Sequence, residues 1–155
     1  MGKKILVVDD EESILITLKH IIEKEGFDCD MALSAEEGIQ KLNENSCSYN
    51  LVITDLMMYP LTAIDIIKTV KDVNSLIDII IITGFRGSPI LDKAMKLHPC
   101  IELFKPFPCK ELVMKIRKCL ESPRKNNLSS LDSILLLTFT IPNQFALLLE
   151  KLLSL

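Results

Sequence analysis

LVITDLMMYP, residues 51–60, is a run of apolar and β-branched residues that breaks off in a bare carboxylate, Asp55. Its length and its Val52, Ile53 and Thr54 mark a strand over 50–54. Working outward, four more segments have strand length: KILVV (4–8), DCDMA (28–32), IDIIIIT (77–83) and IELF (101–104). Between and after them, apolar residues recur at helical spacing. They are Leu15, Leu18 and Ile22; Ala35, Ile39 and Leu42; Ile66, Ile67 and Val70; Leu91, Ala94 and Met95; and Leu112, Ile116, Cys119 and Leu120. Ser34, and Ser88 followed by Pro89, stand where N-caps of the second and fourth helices belong. Near-continuous apolar strands at 5–8 and 79–82 require cover on both faces. The expected fold is therefore doubly wound α/β, a five-stranded parallel sheet between layers of helices.

Composition admits one such domain. A chain of 155 residues, 48% hydrophobic and 25% charged, can bury one sizeable core. A net charge of -3 without any clustered Lys/Arg run offers no footprint for phosphates, so no direct nucleic-acid contact is expected. Cys29, Cys47, Cys100, Cys109 and Cys119 form no C-x-x-C pair and have no metal-type spacing with His20 or His98. They read as reduced thiols of a cytoplasmic protein, mostly small core hydrophobes. MGKKILVVDD has too short an apolar stretch for a signal peptide and lacks the Ser or Thr of a myristoylation signal. His20 and His98 lack a Ser, Cys or carboxylate partner at a recognisable spacing and read as surface or packing residues.

In an open parallel sheet, chemistry gathers beyond the carboxyl ends of the strands. The first strand runs into Asp9 and Asp10, the third into Asp55, the fourth ends at Thr83 and the fifth leads into Lys105. Three carboxylates, a hydroxyl and an ammonium are expected to share one shallow cleft. Carboxylates that close resist ionising together unless a cation joins them. Mg²⁺ suits the role, because it takes one or two carboxylates and keeps waters and open positions for a phosphate oxygen. An aspartate can also act as a nucleophile and carry a phosphoryl group. Asp55 is the expected acceptor, with Lys105 and Thr83 stabilising the transferred oxygens. Any one of these residues alone would read as a turn or cap; their combination at four strand ends carries the inference.

ILVVDDEESI (5–14), LVITDLMMYP (51–60), IIIITGF (79–85) and LFKPF (103–107), in this order and spacing, resemble the receiver domain of two-component response regulators. The resemblance runs from residue 3 to about 121. It implies the flavodoxin-like strand order 2-1-3-4-5 and a sensor histidine kinase or phosphotransfer protein as phosphoryl donor. It implies a signalling protein that catalyses only its own phosphorylation and dephosphorylation. Mg²⁺ would be bound directly by Asp10, mostly through water by Asp9, and by Asp55 and the Met57 backbone carbonyl. Lys105 would pair with the phosphoryl group, a cis peptide would precede Pro106, and Thr83 would move to hydrogen-bond a phosphoryl oxygen.

Several positions depart from that pattern. Receivers usually carry an aromatic switch residue three before the lysine, and here that residue is Glu102. A carboxylate cannot follow Thr83 inward without being desolvated. Output is therefore expected through the fourth helix and its loop TGFRGSP (83–89), or in part through Phe104 or Phe85. Ala63 stands after Tyr59-Pro60 and Thr62, where the family often has glycine, so the turn into the third helix is expected to be rebuilt. Met57 and Phe85 are large and apolar and flank the path of water to an aspartyl-phosphate; slow self-dephosphorylation is expected.

Two other readings compete. A haloacid-dehalogenase-type phosphatase resembles D-x-D at this strand end, and Met57 occupies the second position. A receiver-like interaction module that works without phosphorylation is the alternative; Asp9, Asp10, Asp55, Thr83 and Lys105 count against it and Glu102 for it. No G-x-x-x-x-G-K-[ST] motif is present, and GFRG does not fit G-x-G-x-x-G.

Residues 1–121 are thus the expected receiver domain, 122–130 (SPRKNNLSS) a linker, and 131–155 a leucine-rich tail. The tail is uncharged over 133–149, but Pro142, Asn143 and Gln144 interrupt it, and it is too short to be read as a membrane span. Two short helical pieces are expected, the second capped by Asn143 with Phe145, Leu148, Leu149 and Leu152 as its apolar stripe. That stripe should bury itself on the receiver, on a second copy in a homodimer, or on a partner helix. Such a tail is too small for an effector domain, so output is expected by protein–protein contact. A longer natural chain with an effector is the runner-up.

Overall fold

A computed structural model describes residues 2–98 and 101–121; the linker 122–130 and the leucine-rich tail 131–155, with its expected helices, lie outside the described residues. Strands and helices alternate: β1 (Lys4–Val8), α1 (Glu12–Lys24), β2 (Asp28–Ala32), α2 (Ala35–Asn45), β3 (Leu51–Asp55), α3 (Ala63–Asn74), β4 (Asp78–Thr83), α4 (Pro89–Leu97), β5 (Ile101–Phe104) and α5 (Cys109–Glu121). The strands form one sheet in the order β2-β1-β3-β4-β5, every pairing parallel. This is the expected doubly wound fold. β3 sits one residue later than the apolar run suggested, so Asp55 closes the strand.

The two-residue period of the strands divides the core. Ile5, Val7, Leu51, Ile53, Ile80, Ile82 and Leu103 meet Leu15, Leu18 and Ile22 of α1 and Leu112 and Ile116 of α5. On the other face Leu6, Val8, Val52, Ile79 and Ile81 meet Leu42 of α2, Ile66, Ile67 and Val70 of α3, and Leu91 and Ala94 of α4. A slip of one residue would exchange the two faces of a strand, so the register is firmly held. That register sets Val8 beside Thr54, Asp55 beside Ile82, and Thr83 beside Phe104. The strands therefore deliver their last residues to one edge.

Local signals start the helices. Ser34 Oγ accepts the Glu37 N–H at 3.2 Å and Ser88 Oγ the Ile90 N–H at 3.3 Å, with Pro89 in the first turn of α4. The turn into α3 is built without a glycine. Thr62 Oγ1 accepts the Ile64 N–H at 3.2 Å, Asp65 reaches back to the Thr62 N–H at 3.1 Å, and Ala63 opens the helix. This capping box replaces any need for positive φ at position 63. The Tyr59–Pro60 peptide is cis, as is Lys105–Pro106.

Gly38 explains how closely α2 approaches the sheet. A Cβ there would lie 2.9 Å from Val8 Cγ2, and Val8 is fully buried. Gly38→Ala should gain about 1 kcal/mol of helix propensity but incur the roughly 1–3 kcal/mol cost of overpacking a tight core. A net loss of up to about 2 kcal/mol is expected in denaturant unfolding, and a stabilised variant would show that the helix can step away.

The cysteines differ from expectation. Cys29 is buried and Cys119 half-buried, and burial pushes both thiols up to about 12. Cys47 and Cys109 are exposed, because they fall at a helix-to-strand loop and at the first turn of α5 instead of on apolar stripes. Cys100 lies outside the described residues. Among the described residues no helix is long and apolar enough to cross a membrane.

Candidate functional site

The backbone ladder runs one residue beyond the strand ends and fixes the loops that carry the site. The Asp9 N–H donates to Ala32 O at 3.2 Å, the Leu56 N–H to Ile82 O at 2.9 Å, and the Lys105 N–H to Thr83 O at 2.8 Å. Three of the predicted side chains meet there. Lys105 Nζ lies 2.8 Å from Asp55 Oδ1 and 3.4 Å from Asp9 Oδ2. The other Asp55 oxygen, Oδ2, accepts the Met57 N–H at 2.8 Å, and Asp9 Oδ1 accepts the Glu11 N–H at 2.9 Å. Both carboxylates are thus oriented through both of their oxygens.

The remaining predicted residues take other positions in the strands, helices and loops. Asp10 is exposed at the start of the loop into α1. Met57 lends its N–H to Asp55, and its side chain is exposed beside Tyr59 in the loop after β3. Thr83 is buried, but its hydroxyl accepts the Phe85 N–H at 3.0 Å, which turns it along the β4–α4 loop. Glu102 is half-buried in β5. His20 sits on exposed α1 surface, and His98 caps the end of α4.

Burial has consequences for charge. The Asp9 carboxyl is raised above its ordinary range by desolvation; the Glu11 N–H and the Lys105 ammonium oppose this, and the charge of Asp55 adds to it. Burial by itself would lower Lys105, but its hydrogen bond to Asp55 and the charges of Asp55 and Asp9 hold it above the usual lysine value. The site therefore keeps its ammonium at neutral pH and contains a carboxylate that remains short of positive charge.

That shortage bears on a metal. Among the described residues no three His, Cys, Asp or Glu side chains form a ready-made cluster. Mg²⁺ does not need one, since it binds through one or two carboxylates and completes its shell with carbonyls and water. Asp9 and Asp55 already share one cation, Lys105, so the donor chemistry present fits a hard divalent ion.

Asp9 also gives a sign for stability. Its proton is held more tightly in the folded than in the unfolded chain, so its contribution is full below the unfolded carboxylate pKa and is lost as pH rises through the folded value. Asp9→Asn keeps an acceptor for the Glu11 N–H and removes the charge. In magnesium-free buffer at neutral pH it should raise the melting midpoint by about 3–6 °C, the shift expected for ~1 kcal/mol. The gain should shrink at acidic pH; a melting point unchanged across both conditions would show that Asp9 is not strained.

Sequence reasoning missed two contacts around this site. One is the Glu11 N–H on Asp9. The other is Arg86, whose guanidinium carbon lies 4.1 Å from the centre of the Phe104 ring. The sequence carried no signal for it, because the register that sets Thr83 beside Phe104 is decided by the sheet.

Known proteins with this arrangement have been identified from sequence and from shape. Residues 5–117 match the family model described as the response regulator receiver domain. The chain is 36% identical over 134 residues to the transcriptional regulatory protein CpxR homolog of Haemophilus influenzae, covering 83% of this chain and 56% of that protein. It is 30% identical over 128 residues to sporulation initiation phosphotransferase F of Bacillus subtilis, covering 82% of this chain and 99% of that one. The chain thus spans little more than half of the first relative and nearly all of the second. A response regulator receiver domain protein from Clostridium thermocellum superimposes with a TM-score of 0.70 at 34% identity, over 77% of this chain and 94% of that structure. The sheet order, the strand-end carboxylates and these matches agree, and the chain belongs to the response regulator receiver domain family.

Proposed function

We propose that Asp55 accepts a phosphoryl group from a sensor histidine kinase or a phosphotransfer protein, and that the chain passes the signal on by protein contact in the cytoplasm. The observation that carries this reading is the setting of the Asp55 carboxylate. It ends the central strand, its side chain is 13% exposed, and Lys105 and the Met57 N–H hold its two oxygens. A carboxylate oxygen held in this way can attack phosphorus while the P–N bond to the donor imidazole breaks and the imidazole leaves. Mg²⁺, held by Asp9, Asp10, Asp55 and the Met57 carbonyl, would neutralise charge between the carboxylate and the incoming group. Lys105 then pairs with a phosphoryl oxygen, and the Thr83 hydroxyl donates to another. The tail 131–155 we assign to contact with the output partner or with a second copy.

The test is intact mass after incubation with acetyl phosphate and Mg²⁺. One added phosphoryl group, absent when the metal is chelated, is the expected result. No addition, together with no Mg²⁺ binding, would leave the phosphorylation-independent interaction module.

The lifetime of the product should depend on the cleft rim. Met57 and Phe85 are 45% and 66% exposed, and each begins within two residues of a site group. In our reading they limit the approach of water. Met57→Asn replaces an apolar side chain with one that can hydrogen-bond water and should shorten the phosphorylated lifetime several-fold. An unchanged decay, followed by mass after the phosphodonor is removed, would show that Met57 only covers the rim.

A further inference from the structure

The β4–α4 loop makes a contact that phosphoryl chemistry does not require. Arg86 is exposed, yet its guanidinium lies over the Phe104 ring at 4.1 Å, a distance at which the ring face attracts a cation. Phe104 is anchored: it is half-buried, packs against the core on the α4 side and pairs with Thr83 across the sheet. It is followed directly by Lys105, which holds Asp55 at 2.8 Å. At the other end, the residue before Arg86 is tied to the site, because the Phe85 N–H donates to Thr83 Oγ1 at 3.0 Å. One partner of the stacked pair is thus fastened to Lys105 through β5, and the other to Thr83 through the loop.

We infer that Arg86 stacked on Phe104 is a latch that opens when Asp55 is phosphorylated. The inference rests on the reading of Asp55 as phosphoryl acceptor. When the Thr83 hydroxyl turns to donate to a phosphoryl oxygen, Phe85 loses its acceptor and the loop carrying Arg86 is released. Lys105 swings on its flexible stem from the Asp55 carboxylate to the phosphoryl oxygens while its backbone N–H stays on Thr83 O. Release of the loop therefore separates the pair. Glu102, two residues earlier on the same face of β5, offers no ring of its own, so the movement is read out at Phe104.

Linkage supplies the test, since a contact present only without the phosphoryl group must oppose its binding, and removing the contact must favour it. Beryllofluoride with Mg²⁺ serves as the phosphoryl stand-in. Arg86→Ala should bind it about two- to five-fold more tightly than the wild type, with Arg86→Lys between the two. Both variants change an exposed side chain and should keep the fold. In protein labelled with fluorophenylalanine, with the Phe104 signal assigned through Phe104→Leu, saturation should move that signal to the position it holds in unliganded Arg86→Ala. Equal affinity in the wild type and Arg86→Ala, or a Phe104 signal that stays put at saturation, would overturn the latch and leave the acceptor site standing. Failure of the wild type to bind beryllofluoride at all would overturn the reading of Asp55, and the latch with it.

Discussion

Asp55→Asn is expected to abolish phosphoryl uptake while the fold survives. The amide has nearly the size of the carboxylate, and its carbonyl can still accept from Lys105 or from the Met57 N–H, the two donors that hold Asp55 at 2.8 Å. What it lacks is an anionic oxygen able to attack phosphorus, and without a nucleophile the covalent step has no slower version. Intact mass after acetyl phosphate should show no addition in the variant and one in the wild type. The circular dichroism spectrum should be unchanged. If a phosphoryl group still appears, the acceptor is another carboxylate of the same edge, Asp9 or Asp10.

Lys105→Met should show the second largest effect, and in two separate measurements. Methionine keeps an unbranched stem but removes the cation that lies between Asp9 and Asp55, at 3.4 and 2.8 Å. The developing charge on the transferred oxygens then loses a fixed partner, and loss of one such donor costs about 10²- to 10³-fold in rate. Stability should fall as well in magnesium-free buffer, because two carboxylates, one of them buried, would face each other without a shared cation. The cost should be about 1–2 kcal/mol, below the roughly 3–5 kcal/mol of a fully buried broken pair. Lys105 retains 29% of its side-chain exposure, and solvent screens what is left. Added Mg²⁺ should restore the stability but not the rate. A variant that takes up phosphoryl groups at the wild-type rate would remove Lys105 from the chemistry.

The two variants separate roles that the geometry joins. In the proposed chemistry Asp55 is both nucleophile and ion-pair partner, whereas Lys105 is a charge without a bond to make. A complete loss at one and a graded loss at the other is therefore the pattern that distinguishes acceptor from stabiliser.

Much of the fold was legible because burial imposes periodicity. Strands covered on both faces leave continuous apolar runs such as Ile79–Ile82, and the helices between them repeat their apolar residues at one-turn spacing, as in Leu15, Leu18 and Ile22. The candidate residues were legible for a related reason. Asp9, Asp55, Thr83 and Lys105 each stand where an apolar run stops, and in a parallel sheet all such ends lie on one edge. Asp9 and Lys105 are far apart in the chain, yet each belongs to a strand end that the topology must bring to the same place.

The amino-acid sequence by itself determined the five β–α units, the parallel sheet and the set of chemical groups at its carboxyl edge, since these follow from patterns only a few residues long. Tertiary structure alone decided how those groups are used. It buried Asp9 until its carboxyl rose, set Lys105 between two carboxylates, turned the Thr83 hydroxyl to Phe85, and laid Arg86 over Phe104. Desolvation and contact geometry depend on what packs around a residue from distant parts of the chain, and local periodicity carries no record of that.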